Sequence, residues 1–297
     1  MSPRRRAPDP PLPVRGGLGP VRIRLHGDGP VLDELVARFG SAAADQLSRG
    51  DVVDAMGTTV TADTRVPAGS LVYTYREPVA EVPVPFAIDV LHWDENVVVV
   101  DKPHFLSTMP RGRHVTETAL VRLRKTLDLP ELAPAHRLDR LTAGVLLFTV
   151  RRDVRSAYHA LFAHRQVSKT YEALAPVDPA IALPLTLRSR IVKQRSILQA
   201  YEEQGPVNAE THVELIDQRE TVGRYRLAPR TGQTHQLRVH MNSLGVPIVN
   251  DPLYPKVVDV AADDFTRPLQ LLARSLAFRD PLTGKDVRYE SVRELGQ

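Results

Sequence analysis

The chain carries two hydrophobic rhythms. Val21, Ile23 and Leu25 alternate with Arg22, Arg24 and His26, the period of a half-buried strand. Leu32, Leu35, Val36 and Phe39 follow at helical spacing, and a second helix over 42–49 is expected to stop at Gly50. Val52-Val53, a turn at Met56-Gly57 and a strand over 71–75 close a small unit. Beyond it, strands are predicted over 88–92, 97–101, 144–150, 169–175, 209–216 and 269–278. Helices are predicted over 116–127, where Leu120, Leu123 and Leu127 share a face with Glu117 near the N-terminus, and over 154–165. A third runs from Thr234 to Gly245 with Leu237, Met241 and Leu244 as its apolar stripe.

This uneven succession predicts an α+β fold with a mixed sheet rather than a regular βαβ array. Residues 1–20, rich in Pro, Gly and Arg, are expected to be a disordered basic tail. Residues 21–80 form a small N-terminal α/β domain. Residues 78–85, with prolines at 78, 83 and 85, are read as an extended linker, and 86–297 as the main domain.

The chain has 297 residues, a formal charge of +4 and no cysteine, which excludes disulfides, thiolate catalysis and cysteine-based metal sites. No apolar run reaches membrane-spanning length, and Pro and Gly follow Arg4-Arg5-Arg6 where a secretory signal would be apolar. A cytoplasmic protein and a monomer are the expectations. The mild basic excess fits a polyanionic partner as well as it fits a plain basic surface.

Chemistry concentrates in four segments. The first is the strand 97–100 running into Asp101-Lys102-Pro103. The second is His136-Arg137-Leu138-Asp139-Arg140-Leu141-Thr142-Ala143-Gly144, one carboxylate between two arginines ahead of the apolar run Val145–Phe148, with Gly144 read as a turn residue. The third, Ser168–Ala173, sets Lys169 and Tyr171 on one strand face. The fourth is Arg230-Thr231-Gly232-Gln233-Thr234-His235-Gln236-Leu237-Arg238-Val239-His240, a turn feeding a helix. A lone Asp in a turn more often bonds backbone than catalyses. His235 and His240, five apart, fall on different helix faces, and no HExxH pattern exists, so no metal site is expected.

Together these segments resemble the RluA family of pseudouridine synthases. The second is similar to the family's HRLD-x-x-T-S-G-L-L-L, the fourth to R-T-G-R-T-H-Q-L-R-V-H, the third to K-x-Y-x-A. The resemblance runs from about 88 to 280, while 21–80 more loosely resembles the small RNA-binding domain that often precedes this one. Departures are His104-Phe105 after Lys102-Pro103, Leu141, Ala143, Gln233, and Asn250-Asp251-Pro252-Leu253-Tyr254 for Gly-Asp-x-x-Tyr.

The resemblance implies a pseudouridine synthase fold with a mainly antiparallel sheet and a central catalytic cleft, acting on structured RNA, either rRNA or tRNA, without cofactor. It implies that Asp139 is the catalytic carboxylate, Arg238 its ion-pair partner across the cleft, and Tyr171 the residue that stacks on uracil and helps remove the C5 proton after reattachment. Arg137 is the position that enters the space left by the flipped base. Arg140, Lys169 and His136 are the further candidate RNA contacts. Two other readings stay open: a non-catalytic RNA-binding or ribosome-assembly protein that keeps the fold, and a glycoside hydrolase, which generally needs a second carboxylate.

Overall fold

The computed structural model describes residues 10–76 and 80–296. The chain divides into two compact units, Met1–Ala80 and Glu81–Gln297. The smaller contains β1 (Val21–Arg24), α1 (Val31–Phe39), α2 (Ala42–Ser48), β2 (Val53–Asp54) and β3 (Leu71–Thr74). Its antiparallel sheet runs β1-β3-β2, and Val31, Leu35, Ala43 and Leu47 of the helices close on Ile23, Leu25, Val52 and Val72. The expected tail needs correction. Residues 1–9 lie outside the described residues, but Pro13 and Arg15 are tied down. The Tyr75 hydroxyl donates to the Pro13 carbonyl, and the Arg15 guanidinium lies 4.5 Å over the Tyr75 ring.

The larger unit holds β4 (Asp89–Trp93), β5 (Val97–Lys102), α3 (Ala119–Thr126), β6 (Ala133–Pro134), β7 (Ala143–Thr149), α4 (Arg155–Ala163) and β8 (Val167–Pro176). It continues through β9 (Leu185–Ser189), β10 (Ile191–Val192), β11 (Tyr201–Glu202), β12 (Ala209–Arg219), β13 (Val222–Pro229), α5 (Gln236–Ser243), β14 (Leu271–Arg279) and β15 (Asp286–Glu290). The main sheet runs β4-β5-β7-β14-β8-β13-β12-β9, with β15 beside β14 and β6 beside β7. The β7–β14 pair is parallel; the other pairs of this sheet, among the described residues, are antiparallel.

β5 and β7 are buried along their whole length. That is why both read as unbroken apolar runs: a strand covered on two faces has no solvent side to make polar. Val98, Val100, Leu146 and Phe148 enter the core under α3, whereas Val97, Val99, Val145 and Leu147 meet Val154, Tyr158 and Leu161 on the α4 side.

Three expectations shift. The linker is partly structural: Glu77–Val79 lie outside the described residues, but Val84 is buried, and its N–H donates to Glu117. Glu81 accepts from the Val115 and Thr116 amides, so the large unit starts at Glu81 rather than 86. The α3 helix starts later than predicted, because Thr118 caps it by accepting from the Val121 amide. Gly144 is no turn. It lies inside β7 with φ +112°, and a Cβ there would stand 2.3 Å from the Ala273 carbonyl oxygen. Glycine at this point lets β7 and β14 approach as a parallel pair.

Candidate active site

Asp139 precedes β7 on a segment whose backbone is held from below. Thr108 Oγ1 donates to the Leu138 carbonyl at 2.9 Å and accepts from the Leu138 amide at 3.1 Å. His104 Nδ1 donates to the Leu141 carbonyl at 2.7 Å. The fully buried Lys102 ammonium donates to the carbonyls of Pro103 and Leu106, and at 3.4 Å to that of Arg140. Burial pushes Lys102 down to about 7, with the Asp139 charge pulling the other way. Thus two departures from the family pattern, His104 and Leu141, are bonded to each other, and the loop that carries Asp139 is fixed at 138, 140 and 141.

Asp139 faces a cleft of about 440 Å³ lined also by His136, Arg137, Lys169, Tyr171, His235 and Arg238. That is the size of a pocket for one small group. Arg238, on α5, is 2% exposed, and its Nη1 stands 3.8 Å from Asp139 Oδ2. Its tighter partner is one that sequence reasoning missed. Arg238 Nε and Nη2 donate to the two oxygens of Asp251 at 2.7 and 2.6 Å, a bidentate pair with both side chains buried. Burial opposes the Arg238 charge, but the Asp251 bonds and the charges of Asp251 and Asp139 outweigh it and raise its pKa. Asp251 also accepts from the amides of Leu253 and Tyr254. The one sequence signal for it was its place in Asn250–Tyr254, the segment marked as a departure.

Tyr171, on β8, is pushed up by burial and then by the Asp139 charge, so its phenol holds its proton. Lys169 lies on the same side of β8. Its ammonium donates to the Thr231 carbonyl at 2.8 Å, and burial with the nearby Arg165 lowers it to about 8. Arg137 is exposed at the cleft wall. His136 is turned inward: Nε2 accepts from the Leu147 amide at 3.1 Å, and the ring stacks on Phe162 at 4.6 Å. Burial, with Lys169 adding to it, drives it down to about 3. Its first task is therefore to hold the loop against β7. Arg140 is not among the cleft residues. It lines a neighbouring hollow of about 150 Å³ with Asn250, Asp251 and Arg267.

The helix predicted from Thr234 begins at Gln236, because His235 adopts a left-handed conformation with φ 57° and ψ 18°. Gln236 is buried and braces the turn, donating to the Glu210 carbonyl and to Thr211, and accepting from the Thr231 hydroxyl. His240 is also internal, between Thr211 and Ser189. Among the described residues no group of three His, Cys, Asp or Glu is placed to hold a metal.

A mainly antiparallel sheet carrying one carboxylate against a buried guanidinium defines the class. The same fold occurs in the human RNA pseudouridylate synthase domain containing 4, at TM-score 0.55 and 25% identity over 70% of this chain and 89% of that one. It also occurs in the human RNA pseudouridylate synthase domain containing 1, at TM-score 0.55 and 22% identity over 70% of this chain and 85% of that one. Residues 96–243 match the RNA pseudouridylate synthase family model. The dual-specificity RNA pseudouridine synthase RluA of Vibrio cholerae is 34% identical over 65% of this chain and 78% of its own length. Human pseudouridylate synthase RPUSD2 is 35% identical over 63% of this chain, but the match spans only 33% of that protein's length. The chain belongs to the RluA family of RNA pseudouridine synthases.

Proposed function

We propose that the chain isomerises uridine to pseudouridine in structured RNA, with Asp139 as the reacting carboxylate. Relatives named as large-subunit ribosomal synthases favour rRNA over tRNA as the substrate. The observation that carries the reading is the Asp139 carboxylate on a braced loop, 3.8 Å from a buried guanidinium, in a cleft that also holds Tyr171.

The reaction is redox-neutral and needs no external nucleophile. The bond from uracil N1 to C1′ breaks, the base turns, C5 bonds to C1′, the C5 proton leaves and N1 gains one. Asp139 acts at the sugar, either by attack at C1′ or by taking a proton from it. The buried guanidinium of Arg238 stands 3.8 Å from the Asp139 carboxylate. Tyr171 offers a ring for uracil to stack on. The target base must leave its stack, at roughly a few kcal/mol, and Arg137, exposed at the cleft wall, is placed to fill the gap and meet phosphate. Asp251 is locked on Arg238 and buried, and among the described residues lining the cleft Asp139 is the one carboxylate, which favours isomerisation over hydrolysis.

The deciding experiment compares wild type with Asp139→Asn on RNA labelled with tritium at uracil C5, after a transcript-wide pseudouridine map with and without the protein has located the target. Wild type should release tritium; the variant should fold and bind RNA but release none. An active Asn variant removes Asp139 from the role, and release of free uracil would mark a hydrolase instead.

A further inference from the structure

Tyr254 and His235 fix the position of one proton at the edge of the cleft. The Tyr254 hydroxyl stands 2.7 Å from the Ala200 carbonyl oxygen and 2.8 Å from the Ala200 amide nitrogen. A carbonyl oxygen cannot donate, so two oxygens at that distance share the hydroxyl's own proton. The Ala200 N–H takes one lone pair of the phenolic oxygen. Only the second lone pair is left for His235 Nδ1, 3.1 Å away. Nδ1 therefore carries the imidazole proton and donates it to Tyr254, and Nε2 of the neutral ring is bare.

That bare nitrogen lies 3.9 Å from Asp139 Oδ2, beyond hydrogen-bond reach, in the cleft shared with Tyr171 and Arg238. Two acceptors facing each other across this gap call for a donor, and among the described residues none reaches Nε2. The 3.9 Å gap leaves no hydrogen bond of the kind an imidazolium would make to Asp139, and burial, with the Arg238 charge, outweighs the opposing pull of Asp139 and brings His235 down to about 4. Its aim is set by the left-handed backbone at φ 57°, a conformation that a non-glycine residue holds only when its surroundings enforce it.

Resting on the isomerase reading, we propose that His235 Nε2 accepts a hydrogen bond from the 2′-hydroxyl of the target ribose. Asp139 acts at the sugar, and the hydroxyl on the carbon next to C1′ is the donor in reach of a nitrogen so close to that carboxylate. Uracil's own donor, N3–H, lies farther from C1′. A hydrogen bond to this hydroxyl strengthens as positive charge builds on the sugar during bond cleavage. It also gives the site a means to tell RNA from DNA at the reacting nucleotide.

The test is a binding cycle on the Asp139→Ala background, where turnover does not intervene and no side chain at 139 can donate to Nε2. The two probes are an RNA hairpin carrying the mapped target uridine and the same hairpin with 2′-deoxyuridine at that one position. The parent should prefer the ribose form by roughly tenfold, the scale of one net hydrogen bond. Adding His235→Phe, which keeps a ring but no acceptor, should bring the ratio to about one. Adding His235→Gln, which returns an acceptor near the same place, should restore part of it. A merely structural role would weaken both hairpins equally and leave the ratio unchanged, and that result overturns the assignment. Absence of tritium release by the wild-type enzyme on the ribose hairpin would instead strike the isomerase reading, so the two failures are told apart.

Discussion

The Arg238 guanidinium is gripped by Asp251 at 2.6 and 2.7 Å and stands 3.8 Å from Asp139. The cation that serves the reacting carboxylate is thus placed by another carboxylate. With two of its nitrogens bonded to Asp251, the guanidinium presents its Nη1 to the cleft at a fixed angle. Asp139 keeps open coordination on the substrate side, as a group that must act on a sugar requires.

Asp251→Asn should therefore harm both fold and function. Removing one member of a buried pair strands the other charge, at a cost of about 3–5 kcal/mol. Urea denaturation should show that loss, and tritium release should fall by at least about a hundredfold, since a misplacement of 1 Å is enough for that. Full activity in a stably folded Asn variant would separate Arg238 placement from Asp251.

Tyr171 should matter as a ring and not as an ionised base. Burial and the Asp139 charge both raise its pKa, so the rate should show no inflection near the ordinary phenol range. Tyr171→Phe should keep RNA affinity within about twofold. Tyr171→Leu should weaken it by the roughly 1–3 kcal/mol of one base–aromatic stack. Fluorescence anisotropy on the two variants decides between ring and hydroxyl.

Gly144→Ala should be far more damaging than an ordinary strand substitution. The added methyl would meet Ala273 backbone atoms at 2.3 to 2.8 Å, and φ +112° is closed to alanine. A loss of about 3 kcal/mol or more is expected in chemical denaturation. A stability change below about 1 kcal/mol would mean that β7 and β14 can separate without cost.

His136 should make the fold acid-sensitive. Its pKa is about 3 in the folded protein, against about 6.5 for an exposed imidazole. Between those values the unfolded chain takes a proton that the folded one refuses, so stability falls as pH drops from about 6.5 toward 3. His136→Gln keeps an acceptor for the Leu147 amide and removes the titration. Relative to wild type it should gain about 1.4 kcal/mol per pH unit within that window. Parallel denaturation curves at pH 4.5 and 7 would refute this.

The sequence alone determined the elements whose patterning is local: the β5 and β7 apolar runs, the stripes of α1 and α5, and the Asp139, Tyr171 and Arg238 motifs. β9, β13 and β15, and the two-residue β6, β10 and β11, were missed. In β13 the buried positions alternate with Arg224 and Arg226, and Gly223 interrupts the strand signal. In β15 burial is partial, so apolar and polar residues mix.

Tertiary structure decided the pairings, because sequence periodicity records which face is buried and not what lies across it. Gly144 reads as a turn until Ala273 of β14, distant in sequence, is seen pressed against it. Asp251 reads as a loop residue until α5 brings Arg238 to it. His235 reads as the second residue of a helix, yet its left-handed backbone delays that helix by two residues, and Tyr254 sets its tautomer. Each depends on a partner from another element, and only folding brings the two within bonding distance.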